Sequence, residues 1–171
     1  MSNARRQKHY WEPIFEGASN LPYQPGWWDK SDEQIYSECE FNWERDWSDK
    51  ERKKIFKKNS YSHCDFRGER ADSKSTIVFE DCDFEMCDFG LAVIKNCKFT
   101  KCRFTKCTFS QSTLRDVLFR DCKWKDIYFS GNETVFEKTY VSNPSEFVAA
   151  HYVTRIDLNH RVLSEKKLLR I

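Results

Sequence analysis

Residues 77–129 read IVFEDCDFEMCDFGLAVIKNCKFTKCRFTKCTFSQSTLRDVLFRDCKWKDIYF, and one pattern runs through them unbroken. An aromatic or aliphatic residue recurs at every fifth position: Phe79, Phe84, Phe89, Ile94, Phe99, Phe104, Phe109, Leu114, Phe119, Trp124 and Phe129. Two residues before each stands a mostly small apolar or thiol residue: Ile77, Cys82, Cys87, Ala92, Cys97, Cys102, Cys107, Ser112, Val117, Cys122 and Ile127. A step of five turns about 140° around an α-helix, so the apolar stripe would wander off any one face. On a flat strand the same step flips every ring to the opposite side. The pattern stays inside only if the chain turns a corner every five residues and winds around a common interior. Short fixed periods of this kind mark solenoids.

The sequence also counts the sides. The two least typical repeats, Ala92/Ile94 and Ser112/Leu114, lie twenty residues apart. At the same lag fall Cys82, Cys102 and Cys122, then Phe84, Phe104 and Trp124. Four repeats therefore make one turn of a square coil. The pattern resembles the pentapeptide-repeat family, whose loose consensus is A-(D/N)-L-x-x, with Cys and Phe here commonly standing for Ala and Leu. The resemblance implies an all-β solenoid, a right-handed quadrilateral β-helix of about four coils, with the central apolar residue and the small residue before it both facing inward. On that reading Cys82, Phe84, Cys87, Phe89, Cys97, Phe99, Cys102, Phe104, Cys107, Phe109, Phe119, Cys122, Trp124 and Phe129 form the structural core.

Hydrophobic residues make up 39% of the chain and mean hydropathy is −0.80, low for a compact globule but natural where each five-residue side buries two residues and solvates three. The net charge of +2 implies neither a nucleic-acid-coating surface nor an acidic one. No apolar run is long enough to span a bilayer, and Met1–Tyr10 has no signal-peptide core, so no membrane partner is expected. Seven of the eight cysteines sit at repeat positions, which points to buried free thiols in a reducing cytoplasm.

Three regions follow from the chain order. Residues 1–58 read as a capping segment rich in Trp and Pro (Trp11, Trp27, Trp28, Trp43, Trp47; Pro13, Pro22, Pro25) with a short basic helix. Ser48 and Glu51 match a capping box, and the helix is expected to run to about Lys58 with Ile55 and Phe56 turned inward. Its lysines are balanced, since residues 1–63 hold eleven basic and eleven acidic residues. Residues 59–142 form the coil, with early repeats at Asn59/Tyr61 and Cys64/Phe66, a loop over 67–76, and late repeats at Thr134/Phe136 and Thr139/Val141. Residues 143–171 read as a C-terminal helical cap opened by Asn143-Pro144, with Val148, Tyr152 and Ile156 on one stripe.

Charge is segregated along the core stretch. Glu80–Asp88 carries five acids and no base, Lys95–Lys106 five bases and no acid. At twenty residues per turn Asp81 stacks under Lys101, Lys101 under Asp121, Asp83 under Arg103 and Lys106 under Asp126, so the segregation predicts ion pairs between coils rather than two binding patches. The cysteine gaps are four residues or more and their side chains stack in columns, which suits neither zinc nor disulfides. No acid/base pair, phosphate loop or metal spacing appears, so no catalytic residue, metal or cofactor is expected.

The function this supports is a non-enzymatic protein–protein interaction module, a scaffold or adaptor. The partner-binding candidates are Trp27, Trp28, Trp43 and Trp47 in the N-terminal arm, Arg67, Arg70 and Lys74 in the loop, and Leu168 and Leu169 near the C-terminus. The resemblance implies a homodimer through the C-terminal helical region, as in some relatives. It also implies an alternative, a DNA mimic protecting DNA gyrase, but Cys64–Gly131 counts eleven acids against twelve bases, which is unlike such a rod. A nucleic-acid binder using Lys50–Lys58 and Lys95–Lys106 is a further alternative, testable by steep salt dependence.

Overall fold

The computed structural model describes residues 21–24, 26, 30, 32–41, 53–66, 76–90, 92–128, 134–149, 151–152 and 163–164. Fourteen short strands and one helix follow in order. They are β1 (Ile35–Ser37), β2 (Lys53–Lys57), β3 (Ser60–Ser62), β4 (Thr76–Glu80), β5 (Asp83–Glu85), β6 (Val93–Lys95), β7 (Cys97–Thr100), β8 (Arg103–Thr105), β9 (Thr113–Arg120), β10 (Lys123–Lys125), β11 (Ile127–Tyr128), β12 (Val135–Val141), α1 (Pro144–Ala149), β13 (His151–Tyr152) and β14 (Leu163–Ser164).

The strands stack in parallel as the sides of a coil. Side 1 is the sheet β1-β3-β5-β8-β10, centred on Tyr36, Tyr61, Phe84, Phe104 and Trp124. Side 2 is a ladder of single bridges through Tyr23, Glu40, Asp65, Asp88 and Thr108, with Phe41, Phe66, Phe89 and Phe109 turned inward. Side 3 carries Ile94, Leu114 and Phe136, and side 4 carries Phe56, Phe79, Phe99, Phe119 and Val141. In the strict stretch, in-register partners are twenty residues apart, as the repeat predicts (Phe84, Phe104, Trp124). Elsewhere the lag is 25 (Tyr36 to Tyr61), 23 (Tyr61 to Phe84) and 22 (Leu114 to Phe136). The extra residues enter between Phe41 and Phe56 and between Phe66 and Phe79, from side 2 to side 4, and in the last coil between Tyr128 and Phe136, from side 2 to side 3.

The lumen is filled by columns of rings. On side 1 Tyr36, Tyr61, Phe84, Phe104 and Trp124 stack with successive centroid separations of 5.4, 4.8, 4.9 and 4.6 Å. Side 2 stacks Phe41, Phe66, Phe89 and Phe109 at 4.6 to 4.8 Å, and side 4 stacks Phe56, Phe79, Phe99 and Phe119 at 5.0 to 5.2 Å. Neighbouring columns meet edge to face, as Phe84 does with Phe79 and Phe89. Such pairs add about 0.5–1.5 kcal/mol each beyond the area they bury.

The thiol position is explained by the corners. Cys102 Sγ donates to the Phe79 carbonyl at 3.3 Å, Cys107 to Phe84 at 3.3 Å and Cys122 to Phe99 at 3.3 Å. Thr134 and Thr139 hydroxyls do the same for the Phe109 and Leu114 carbonyls, at 3.0 and 2.9 Å. A small side chain with one S–H or O–H therefore fills the corner and satisfies an inward carbonyl of the preceding coil.

Two expectations are corrected. The basic helix to Lys58 is not present: Lys53–Lys57 is the strand β2, paired with β4. Lys54/Phe56 continues the five-residue period into Asn59/Tyr61, and burying Phe56 against Phe79 outweighs the helix signal of a segment too short to be helical alone. The coil accordingly begins well before residue 59, since β1 and β2 are part of it. The C-terminal helical region is also not supported: α1 spans six residues, and the chain then returns to strand at β13 and β14. Asn143 does cap α1, its Oδ1 accepting from Glu146 N at 3.2 Å, with Pro144 in the first turn. The helix serves to close the lumen. Phe147 is buried, its ring 4.7 Å from Trp124 at 90° and 6.1 Å from Phe119.

Candidate interaction surface

Side 1 is the best-exposed side of the coil. Its outward residues run Ile35, Ser60, Asp83, Arg103, Lys123 in one row and Ser37, Ser62, Glu85, Thr105, Lys125 in the next. Arg103 forks onto both oxygens of Asp83, donating from Nη2 to Oδ2 at 2.7 Å, and lies 3.8 Å from Asp81. The Asp83 carboxylate beside it raises the Arg103 pKa above its ordinary value. Further ion pairs join Lys57 to Glu80 at 3.9 Å and Arg115 to Glu137 at 2.7 Å.

These pairs belong to a larger order. Among the described residues, 32–41 hold four acids and no base; 53–66 hold four bases and one acid; 76–90 hold five acids and no base; 92–111 hold five bases and no acid. Charge thus alternates over these four coils, about 4.8 Å apart, while the next, 112–128, is mixed, with four bases and three acids. The corner between sides 4 and 1 shows it residue by residue: Glu33, Lys58, Asp81, Lys101, Asp121. Each of these has a left-handed backbone, φ 53 to 55°, and the N–H of Lys58, Asp81 and Lys101 donates to a carbonyl of the following coil.

Sides 2 and 4 are less open. The outward residues Asp65 and Asp88 on side 2, and Val78 and Leu118 on side 4, are all buried. At the C-terminal end a cavity of about 240 Å³ opens beside α1, floored by Phe119, Cys122, Trp124 and Val141 and rimmed by Asp121 and Glu146.

The core residues named from sequence are placed inside: Cys82, Phe84, Cys87, Phe89, Cys97, Phe99, Cys102, Phe104, Cys107, Phe109 and Phe119 are buried, while Cys122 and Trp124, in the last coil of side 1, are partly buried. Phe129 and all the partner-binding candidates (Trp27, Trp28, Trp43, Trp47, Arg67, Arg70, Lys74, Leu168 and Leu169) lie outside the described residues. Sequence reading misses Tyr36, Cys39 and Phe41, and it turns Phe56 inward but from a helix instead of a strand. The signal was there in the five-residue step from Tyr36 to Phe41, with Cys39 two before Phe41.

None of the eight cysteines forms a disulfide. Cys39 and Cys64 lie with their sulfurs 3.8 Å apart. The hydrogen bond to Cys64, then burial, holds the Cys39 thiol well above its ordinary pKa. Burial raises Cys87 and Cys102, and the hydrogen bond to Cys102 followed by burial raises Cys82. Among the described residues no three His, Cys, Asp or Glu side chains converge as metal ligands, and no helix is long and apolar enough to cross a membrane.

Residues 77–111 match the sequence model of the family described as pentapeptide repeats, in eight copies. These residues are pentapeptide repeats. The coil itself extends in both directions past the matched stretch, at the lag of twenty through Phe119 and Trp124 and at longer or shorter lags beyond. No curated protein matches the chain.

Proposed function

We propose that this pentapeptide-repeat protein is a non-enzymatic interaction module, an adaptor that presents a rigid lattice of side chains to protein partners in a reducing, cytoplasmic compartment. The observation that carries this reading is side 1, a flat five-stranded face whose outward rows change from neutral to acidic to basic along the coil. A stack of ring columns holds those rows in place, so a partner meets a preformed charge pattern at little entropic cost. Flat, regularly spaced surfaces suit macromolecular contact better than small-molecule chemistry. The eight free thiols support the reducing compartment. The alternation of charge disfavours a DNA mimic, which needs one uniform sign.

Affinity capture with the full chain tests the proposal. The expected result is one stoichiometric partner, retained by the wild type and weakened by Lys123→Glu with Lys125→Glu, which reverses the basic rows of side 1. Trp27→Ser with Trp28→Ser measures what the N-terminal arm adds. Recovery of no stoichiometric partner would remove the adaptor reading.

A further inference from the structure

We infer that the basic half of side 1, strands β8 and β10 with their corners, is the docking site for an extended acidic segment of a protein partner. This rests on the adaptor reading and names where the partner lies and its chemistry. The twenty-residue stack predicts ion pairs of Lys101 with Asp81 or Asp121 and of Lys106 with Asp126, and these do not form. Asp81 instead lies 3.8 Å from Arg103, which already forks onto Asp83. No carboxylate among the described residues is within ion-pair reach of Lys101, Lys106, Lys123 or Lys125. All four lysines are exposed.

The backbone joins these corners in place of the side chains. Lys101, Lys106, Asp121 and Asp126 all have a left-handed conformation, φ 52 to 53°. The Lys101 N–H donates to Arg120 O at 2.8 Å and the Lys106 N–H to Lys125 O at 2.9 Å. Their ammonium groups are left to water. On β10, Lys123 and Lys125 flank the inward Trp124, so both leave the same outward face, about 6.6 Å apart along the strand. Carboxylates at alternate positions of an extended segment have that same spacing. One such segment laid along β10 meets both lysines, with Lys101 and Lys106 bracketing it from the preceding coil. Trp124 stacks on Phe104 at 4.6 Å, which holds the two rows in place before a partner arrives.

Charge selects the occupant. Residues 101–106 and 121–126 carry five bases, opposed only by Asp121 and Asp126 at the corners. The coil before them sets Asp81, Asp83 and Glu85 on or beside the same side, about 4.8 Å from the Arg103 row. That acidic border confines an acidic segment to the last two strands of side 1. It also repels a nucleic-acid backbone, whose phosphates would extend over it. A second copy offers these lysines little from its own β5 coil, because Asp81 and Asp83 are already engaged by Arg103.

The probe is a fluorescein-labelled, end-blocked octapeptide with glutamate at alternate positions and threonine between them. Its control has glutamine in place of glutamate. Anisotropy with the full chain should show the acidic peptide binding at least about tenfold more tightly than the control, less so as salt rises. Lys123→Gln with Lys125→Gln should weaken that binding about three- to tenfold with an unchanged thermal melt. Lys53→Gln with Lys98→Gln removes the same charge from exposed positions on side 4 and should leave binding within about twofold. Should the first pair not fold, Lys101→Asn with Lys106→Asn serves: asparagine suits their left-handed backbone, and the loss should be about threefold. Equal binding of the two peptides, equal losses from the side 1 and side 4 variants, or no binding by the wild type would overturn the inference. Tighter binding of an eight-nucleotide oligothymidylate than of the acidic peptide would overturn it too, by assigning the lysines to nucleic acid. A stoichiometric partner captured by the wild type and held equally by Lys123→Gln with Lys125→Gln would sink this site while keeping the adaptor reading.

Discussion

Tyr36 and Tyr61 stack 5.4 Å apart in one column, but their hydroxyls have opposite fates. Tyr61 Oη accepts from Asn59 Nδ2 at 3.0 Å, and Asn59 Oδ1 accepts from Gln34 N at 2.9 Å. Tyr61→Phe should therefore cost about 1–2 kcal/mol, because it also strands the Asn59 amide, whereas Tyr36→Phe should stabilise by about 1 kcal/mol; paired urea melts of the two variants check both signs. The thiols set a second residue-scale expectation. The folded-state pKa values of Cys82, Cys87 and Cys102 are raised, so their contribution is complete below the unfolded thiol range and declines as pH climbs above it. Urea midpoints should therefore fall as pH rises above about 8.5, less so in Cys102→Ser. At this scale the sequence was informative wherever the lag was twenty. Cys82 over Cys102 over Cys122 is readable; in the other column only Cys87 over Cys107 is, because lags of 25 and 23 hide how Cys39 and Cys64 join it.

The strands are three to eight residues long, and the corners between them are what make a coil. Fourteen described non-glycine residues have a positive φ, from 46 to 57°. Five are Asp or Asn, which tolerate that conformation through local hydrogen bonding; none is β-branched. Lysine occupies it four times, at Lys58, Lys101, Lys106 and Lys138, where the left-handed backbone stores strain. Lys101→Asn should raise stability by about 0.5–1 kcal/mol, and Lys101→Val should lower it by about 1–2 kcal/mol, as read by thermal melts. The corner period could be read from sequence, but its handedness of backbone could not, since lysine and glutamate carry no turn signal. The same limit explains β2. Ser48 to Lys58 has the local marks of a helix, and only the ring waiting at Phe79 makes Phe56 a strand residue. At the other end Asn143-Pro144 was a sound helix start, but nothing local told how soon β13 would end it.

At the scale of the whole molecule, the alternation of charged coils over residues 32–111 acts as a register code. Sliding the 92–111 coil out of place would bring like charges together, so the ladder penalises mis-stacking more than it stabilises the correct stack. The Asp83–Arg103 pair should accordingly couple by no more than about 1 kcal/mol in a double-mutant cycle, since both side chains are exposed. Replacing all five bases of 92–111 by acids should instead prevent folding at low salt and be partly rescued by high salt, a contrast visible by circular dichroism. The whole-molecule plan was legible because eleven repeats in a row admit one geometry; the extent of the coil was not, because its outer turns are stretched. That stretching has a practical consequence. Since the surplus residues enter between side 2 and side 4, that part of the scaffold is a built-in expansion joint. Foreign peptides spliced between Ser110 and Gln111 should be carried at roughly the small entropic cost of a longer loop, while the same splice at Lys101 should break the stack. An array of grafted epitopes could thus be displayed in file along one seam.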